Sequence, residues 1–210
     1  MTNSLFISTT EAGSGKALVS LGIIELLLRR TTRVHFFRPL IQVPEHPPHP
    51  LLKGHEKDED IDLIVSHFDL KQTYGESFGL RSREANELIV QHRADEVIDI
   101  IIGKYKALEA RGDFLLCEGS DYLGESSAFE FSFNQEIAKN LGAPVLILGT
   151  AYGRSMEDTL SPIQMAVEAF QEQGCDIAGI ILNNAETDKV DGLKEELYRR
   201  FGYRGLLLSV

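Results

Sequence analysis

The plainest chemistry lies near the start of the chain, in the run Thr9-Thr10-Glu11-Ala12-Gly13-Ser14-Gly15-Lys16. A short apolar run, Leu5-Phe6-Ile7, leads into it, and a helical pattern follows without a break. Strand, glycine-bearing loop, lysine and helix, in that order, can cradle a phosphate. Glycines let main-chain N–H groups turn toward an anion, and the helix start adds partial positive charge at the same point. The lysine supplies a full charge for the outer phosphates. Thr9, Thr10, Glu11, Gly13, Ser14, Gly15, Lys16 and Ala17 are therefore the expected binding set.

The match to a full P-loop is incomplete. The usual spacing has glycine where this chain has Thr10, and Ser or Thr where it has Ala17. Ala17 offers no oxygen to a magnesium ion, so phosphate binding is expected ahead of nucleotide hydrolysis. The alternative at this stage is an ordinary strand-to-helix turn with a solvated lysine.

Three other residues stand at strand ends. Glu118 closes the apolar run Asp113 to Gly119 and reads either as a magnesium-orienting acid or as a cap for the next loop. It is expected to open on the same sheet edge as Lys16. Arg38, with Pro39, ends the run Arg33 to Phe37 and reads either as a ligand-side cation or as a surface arginine. Asn183 follows the run Ile177 to Leu182 and could meet a base edge or simply make a turn. His46, His49 and His55 sit among Pro44, Pro47, Pro48 and Pro50, and a solvated loop is expected there rather than a metal site.

The elements that must position these residues alternate along the chain. Helices are expected over Lys16 to Arg30, Asp60 to Phe68, Arg83 to Val90, Arg93 to Ala110, Ser132 to Leu141, Ser155 to Gly174 and Lys189 to Phe201. Pro162 is expected to kink or break the sixth of these. Tyr74 to Leu80 reads as a loop, and Pro144 to Leu148 and Gly205 to Ser209 as strands. Buried apolar strands alternating with helices, about six of each, imply an α/β fold. Its expected form is a doubly wound, mostly parallel sheet with helices on both faces, P-loop NTPase-like.

The bulk numbers agree. A chain of 210 residues, 43% hydrophobic and 25% charged, can form one α/β domain with a full core. A formal net charge of −11 argues against nucleic-acid and anionic-membrane partners. Met1-Thr2-Asn3-Ser4 has no basic leader, and no apolar stretch is long enough to span a bilayer. Cys117 and Cys175 make no disulfide framework, so a reducing cytoplasm is expected, with Cys117 a buried thiol. The chain stops at Val210, directly after an apolar strand, so residues 1–210 are expected to be one domain of a longer protein.

Several segments together carry a resemblance. Thr9 to Lys16, SLGIIELL, VHFFRPLIQ, Cys117-Glu118-Gly119, Phe133-Asn134-Gln135-Glu136-Ile137-Ala138-Lys139, APVLIL and GIILNN look like the N-terminal domain of long bacterial phosphate acetyltransferases. That domain is in turn similar to dethiobiotin synthetase, an ATP-dependent ligase. Carried over residue by residue, Lys16 matches the phosphate-binding lysine. Ala17 falls on a magnesium-binding threonine and Arg38 on a substrate-side lysine. Asp60 and Glu118 match metal-associated acids, and Asn183 an adenine-facing asparagine. The resemblance implies ATP or another nucleotide as ligand, with magnesium at Asp60 and Glu118. Ala17 and Arg38 depart from the ligase pattern and weigh against its chemistry. The reading is a regulatory and assembly module with no catalytic residues of its own. It would bind a small phosphorylated effector, in a homo-oligomer, and act on a C-terminal acetyltransferase domain of the same chain. The alternatives are a free-standing ligase using Lys16, Asp60 and Glu118, or the same module in a shorter regulatory protein.

Overall fold

Apolar runs separated by polar turns become parallel strands, and the stretches between them become helices. The computed structural model describes residues 3–43, 57–120, 127–202 and 206–207. In chain order the elements are β1 (Asn3–Thr9), α1 (Lys16–Leu28), β2 (Val34–Ile41), α2 (Glu59–His67), β3 (Phe78–Arg81), α3 (Ser82–Val90) and α4 (Ala94–Glu109). They continue as β4 (Phe114–Glu118), α5 (Ser127–Leu141), β5 (Val145–Thr150), α6 (Met156–Glu172), β6 (Ile177–Asn183), α7 (Val190–Phe201) and β7 (Leu206–Leu207). This is the doubly wound α/β pattern. The histidine- and proline-bearing stretch 44–56 lies outside the described residues.

The chain divides into two units, Met1–Ser4 with Ala17–Ser120 and Leu5–Lys16 with Asp121–Val210. In the first, β2 lies between β3 and β4, parallel to both. Every residue of β2 is buried, as a central parallel strand requires. Phe36, Phe37, Leu115 and Leu116 form its core with Ile61, Ile64, Val97 and Ile101 from the helices, all of them fully buried. In the second unit the order is β1-β5-β6-β7, again parallel. Ile147, Leu148, Leu160, Ile163 and Phe170 fill its core.

Three expectations need correction. The run Arg33 to Phe37 does not end at Arg38-Pro39, because β2 continues through both to Ile41. The proline is tolerated because β4 pairs with β2 only as far as Phe37. On the other side Arg38 and Leu40 pair with β3 while Pro39 does not. The segment Tyr74 to Leu80 is not wholly a loop: a 3₁₀ turn at Tyr74–Glu76 leads into β3. Gly79 hid that strand. A Cβ there would lie 2.4 Å from the Pro39 carbonyl oxygen, so close strand approach excludes a side chain. Finally, of the two readings of Pro162 the break is overturned, since α6 runs continuously through it. Its N-terminus is capped by Ser155, which accepts from the Asp158 N–H, and buried Leu160, Ile163, Val167 and Phe170 pin it to its unit. Cys117 is fully buried, as expected.

A polar pair closes the part of β2 that β3 does not reach. The Gln72 amide accepts from the Phe36 N–H at 2.9 Å and donates to the Phe36 carbonyl at 2.7 Å. Its oxygen also lies 3.1 Å from His35 Nδ1. Burial pushes the His35 imidazole below its usual 6.5, and the Gln72 hydrogen bond pulls the other way. The unfolded chain therefore takes up the proton first. Stability should fall as pH drops through 6.5, and should be regained above it. Urea unfolding at neutral and mildly acidic pH should show this slope, and His35→Gln should flatten it.

Candidate functional site

Each unit holds one cluster of the residues singled out above. In the second unit, β1 delivers the chain into the loop from Thr10 to Gly15, and α1 begins at Lys16. The Thr10 N–H donates to the Leu148 carbonyl at 3.0 Å, fixing where the loop leaves the sheet. Gly13 and Gly15 take left-handed backbone angles, with φ of +71° and +81°. Ala12 and Gly13 stand exposed at the loop's apex, while Ser14 and Lys16 are buried.

Asn183, at the end of β6, holds the inner side of this loop. Its Nδ2 donates to the Ser14 carbonyl at 3.0 Å, and its own carbonyl accepts from the Ala151 N–H at 3.0 Å. Gly15 is required beneath it, since a Cβ there would lie 2.2 Å from Asn183 Nδ2. A second tie joins the loop's outer end to the turn after β5. Arg154 forks onto Glu11, with Nη1 donating to Oε1 at 2.8 Å and Nη2 to Oε2. Lys189 in turn donates to the Arg154 carbonyl at 3.2 Å and pairs with Glu186 at 2.5 Å. The P-loop is thus stapled at both ends.

Three side-chain atoms around it, Thr9 Oγ1, Ser14 Oγ and Asn183 Oδ1, are buried without a hydrogen-bond partner among the described residues. Buried polar atoms are normally paired, so three together in one loop region fit a site that meets a polar ligand.

The first unit holds the acids. Arg38 lies within β2 at 5% exposure, which corrects the surface-arginine alternative. Its Nη1 donates to Asp58 Oδ1 and Oδ2, at 2.8 and 2.7 Å, and to Asp60 Oδ2 at 3.0 Å. Its Nε lies 3.5 Å from Oε1 of Glu118, which is fully buried. Glu118 Oε2 accepts from Ser20 Oγ on α1 at 2.6 Å. Asp58 also caps α2, accepting from the Ile61 N–H at 3.1 Å.

This donor set does not fit magnesium. Ala17 has no side-chain oxygen, Asp60 Oδ2 accepts from Arg38, and Glu118 accepts from Ser20 through Oε2 with its Oε1 3.5 Å from Arg38 Nε. Among the described residues no group of three or more His, Cys, Asp or Glu side chains is arranged to hold a metal ion.

The structure therefore brings Thr9 through Lys16 together with Asn183, and Arg38 with Asp60 and Glu118. Sequence reasoning missed Asp58, Ser20 and Arg154. Asp58 carried a signal, an acid at the cap position before a helix. Ser20, a polar residue in the apolar stretch of α1, carried a weaker one. Arg154 carried none.

Glycine at 15 and asparagine at 183 should be coupled. Gly15→Ala should cost more than the roughly 1–2 kcal/mol of a left-handed angle, because it also pushes Asn183 off the Ser14 carbonyl. In Asn183→Ala the same change should cost less, a non-additivity that urea unfolding of the four chains will read.

Comparison with known proteins bears on the family and the fold. A family model described as an AAA domain matches residues 3–206. The chain is 45% identical over 209 residues to phosphate acetyltransferase from Synechocystis sp., covering 100% of this chain and 29% of that protein. It is 36% identical over 199 residues to phosphate acetyltransferase from Nitratidesulfovibrio vulgaris, covering 95% of this chain and 27% of that protein. The chain thus spans under a third of the length of these relatives, and the part it matches is N-terminal. Among solved structures, the ATP complex of a Cyanothece McdA variant aligns with a TM-score of 0.58 at 13% identity, covering 99% of this chain and 82% of that one. That likeness is one of fold, and the fold is P-loop NTPase-like. No helix among the described residues is long and apolar enough to cross a membrane. With the family model spanning nearly its whole length, the chain belongs to the AAA domain family.

Proposed function

We propose that this chain is an anion-binding module of a phosphate acetyltransferase. It takes a phosphorylated or nucleotide effector at Thr10 to Lys16 and passes the effect to a C-terminal acetyltransferase domain of the same protein. The observation that carries this reading is the stapled loop: two left-handed glycines, a helix start at Lys16, and unpartnered Thr9 Oγ1, Ser14 Oγ and Asn183 Oδ1 around them. Thr9, Thr10, Glu11, Gly13, Ser14, Gly15 and Lys16 line the effector, with Ala17 following. Asn183 acts by holding the loop open in its binding shape. ATP is the first candidate ligand, bound without magnesium.

In this reading the acetyl transfer between coenzyme A and phosphate belongs to the C-terminal domain, and the parent protein assembles as a homo-oligomer in the cytoplasm. This chain turns nothing over. Ala17 is the reason, since phosphoryl transfer needs a seated cation to neutralise charge as the group moves.

Calorimetric titration of ATP, pyrophosphate and inorganic phosphate, each with and without magnesium, tests the module. Metal-independent binding that disappears in Lys16→Ala is the expected result. ADP release by the unmutated chain in the presence of magnesium would point instead to the ligase alternative, and Ala17→Ser serves as the comparison.

The Glu11–Arg154 fork sets a further expectation. Glu11 places negative charge in the loop, and Arg154 offsets it. Glu11→Gln should therefore tighten pyrophosphate binding by about fivefold, the factor that matches about 1 kcal/mol at a partly exposed charge. Arg154→Ala should weaken it by a similar factor in the same titration.

A further inference from the structure

We propose that Arg38 is a resident cation. Its guanidinium occupies the seat that Asp58, Asp60 and Glu118 would otherwise offer to a divalent ion, so the first unit carries its ion as a side chain and takes none from solution there. All of these groups belong to that unit. The seat is filled whether or not the loop of the other unit binds an anion.

Magnesium and manganese bind through carboxylate and hydroxyl oxygens that are free to point at the ion. Three acids converge here at low exposure, with side chains 6%, 27% and 0% exposed for Asp58, Asp60 and Glu118. Yet most of these oxygens already face protein donors. Both Asp58 oxygens face Arg38 Nη1, and one of them also accepts from the Ile61 N–H. Asp60 Oδ2 meets the same nitrogen, and Glu118 accepts from Ser20 Oγ through Oε2 while its Oε1 lies 3.5 Å from Arg38 Nε, an ion pair without a hydrogen bond. A divalent ion could enter only by expelling the guanidinium. Arg38 is anchored inside a fully buried strand and cannot carry its charge to water. It would be left buried without partners, which is more costly than the original arrangement.

The choice of arginine matters. A guanidinium keeps its charge at every accessible pH and spreads its donors in a planar fork, so one side chain reaches three acids from two elements. A lysine in this place could lose its proton on burial. The seat is therefore filled permanently, independent of the supply of free ions.

Removing the side chain should convert the cluster into an ion site. The readout is manganese bound in an Asp60-dependent way, measured by loss of the free Mn2+ electron paramagnetic resonance signal. Each chain is compared with its own Asp60→Asn version. The unmutated chain should show no such binding, and its melting temperature should be the same in magnesium and in EDTA. Arg38→Met should gain one Asp60-dependent equivalent of Mn2+, and Mn2+ should raise its melting temperature. Asp60-dependent Mn2+ binding by the unmutated chain overturns the proposal. So does an Arg38→Met chain with native circular dichroism that ignores Mn2+. Should Arg38→Met fold only when Mn2+ is added, that rescue supports it. Should it not fold at all, Arg38→Gln is read by the same criteria, and the unmutated chain still supplies a result that can refute the idea.

Discussion

A guanidinium inside a fully buried strand is the constraint on which the first unit turns. Arg38 sits in β2 at 5% exposure, where β3 pairs with the strand and β4 no longer does. A charge in that position persists only if acids are brought to it, and removing a partner from such a pair typically costs about 3–5 kcal/mol. The chain brings three. Asp58 and Asp60 come from the start of α2, and Glu118 from the end of β4. Two of them then do a second job. Asp58 caps α2, and Glu118 ties Ser20 of α1 into the same network. One buried charge thereby fixes the register of two helices against two strands.

In the second unit the comparable constraint is steric. Asn183 reaches the Ser14 carbonyl only because Gly15 has no Cβ. The same residue, through its own carbonyl, holds the turn after β5, from which Arg154 reaches back to Glu11. A loop tied at both ends keeps its shape before any ligand arrives, so little ordering entropy remains to be lost on binding. An acidic residue in such a loop would ordinarily oppose an anion. Arg154 pairs with it, offsetting the acid's charge and holding that end of the loop.

Most of the fold was legible in the residues. The apolar runs at Phe114 to Cys117, Val145 to Leu148 and Ile177 to Leu182 could be nothing but buried strands, and the helices between them showed their periodicity. What was misread had a common cause, the breaking signal of a residue whose neighbours overrule it. Pro39 looked like a strand end, but its missing N–H falls where β4 no longer pairs. Gly79 looked like loop, but it is a strand residue pressed against the Pro39 carbonyl. Pro162 looked like a helix break, but the apolar face around it is buried and the helix holds.

By itself the sequence determined the kinds of chemistry available. A glycine-bearing loop before a lysine and a helix can hold an anion, and alanine at position 17 has no side-chain oxygen to give a metal. These follow from residue type and from spacing along the chain. The tertiary structure alone decided which groups are spent on one another. Arg38 and Glu118 lie far apart in sequence, and so do Glu11 and Arg154, and no local pattern pairs them. The parallel sheet brings such residues together because crossover connections place distant strand ends side by side. A carboxylate's neighbours, rather than its type, then settle whether it is offered to an ion or already taken.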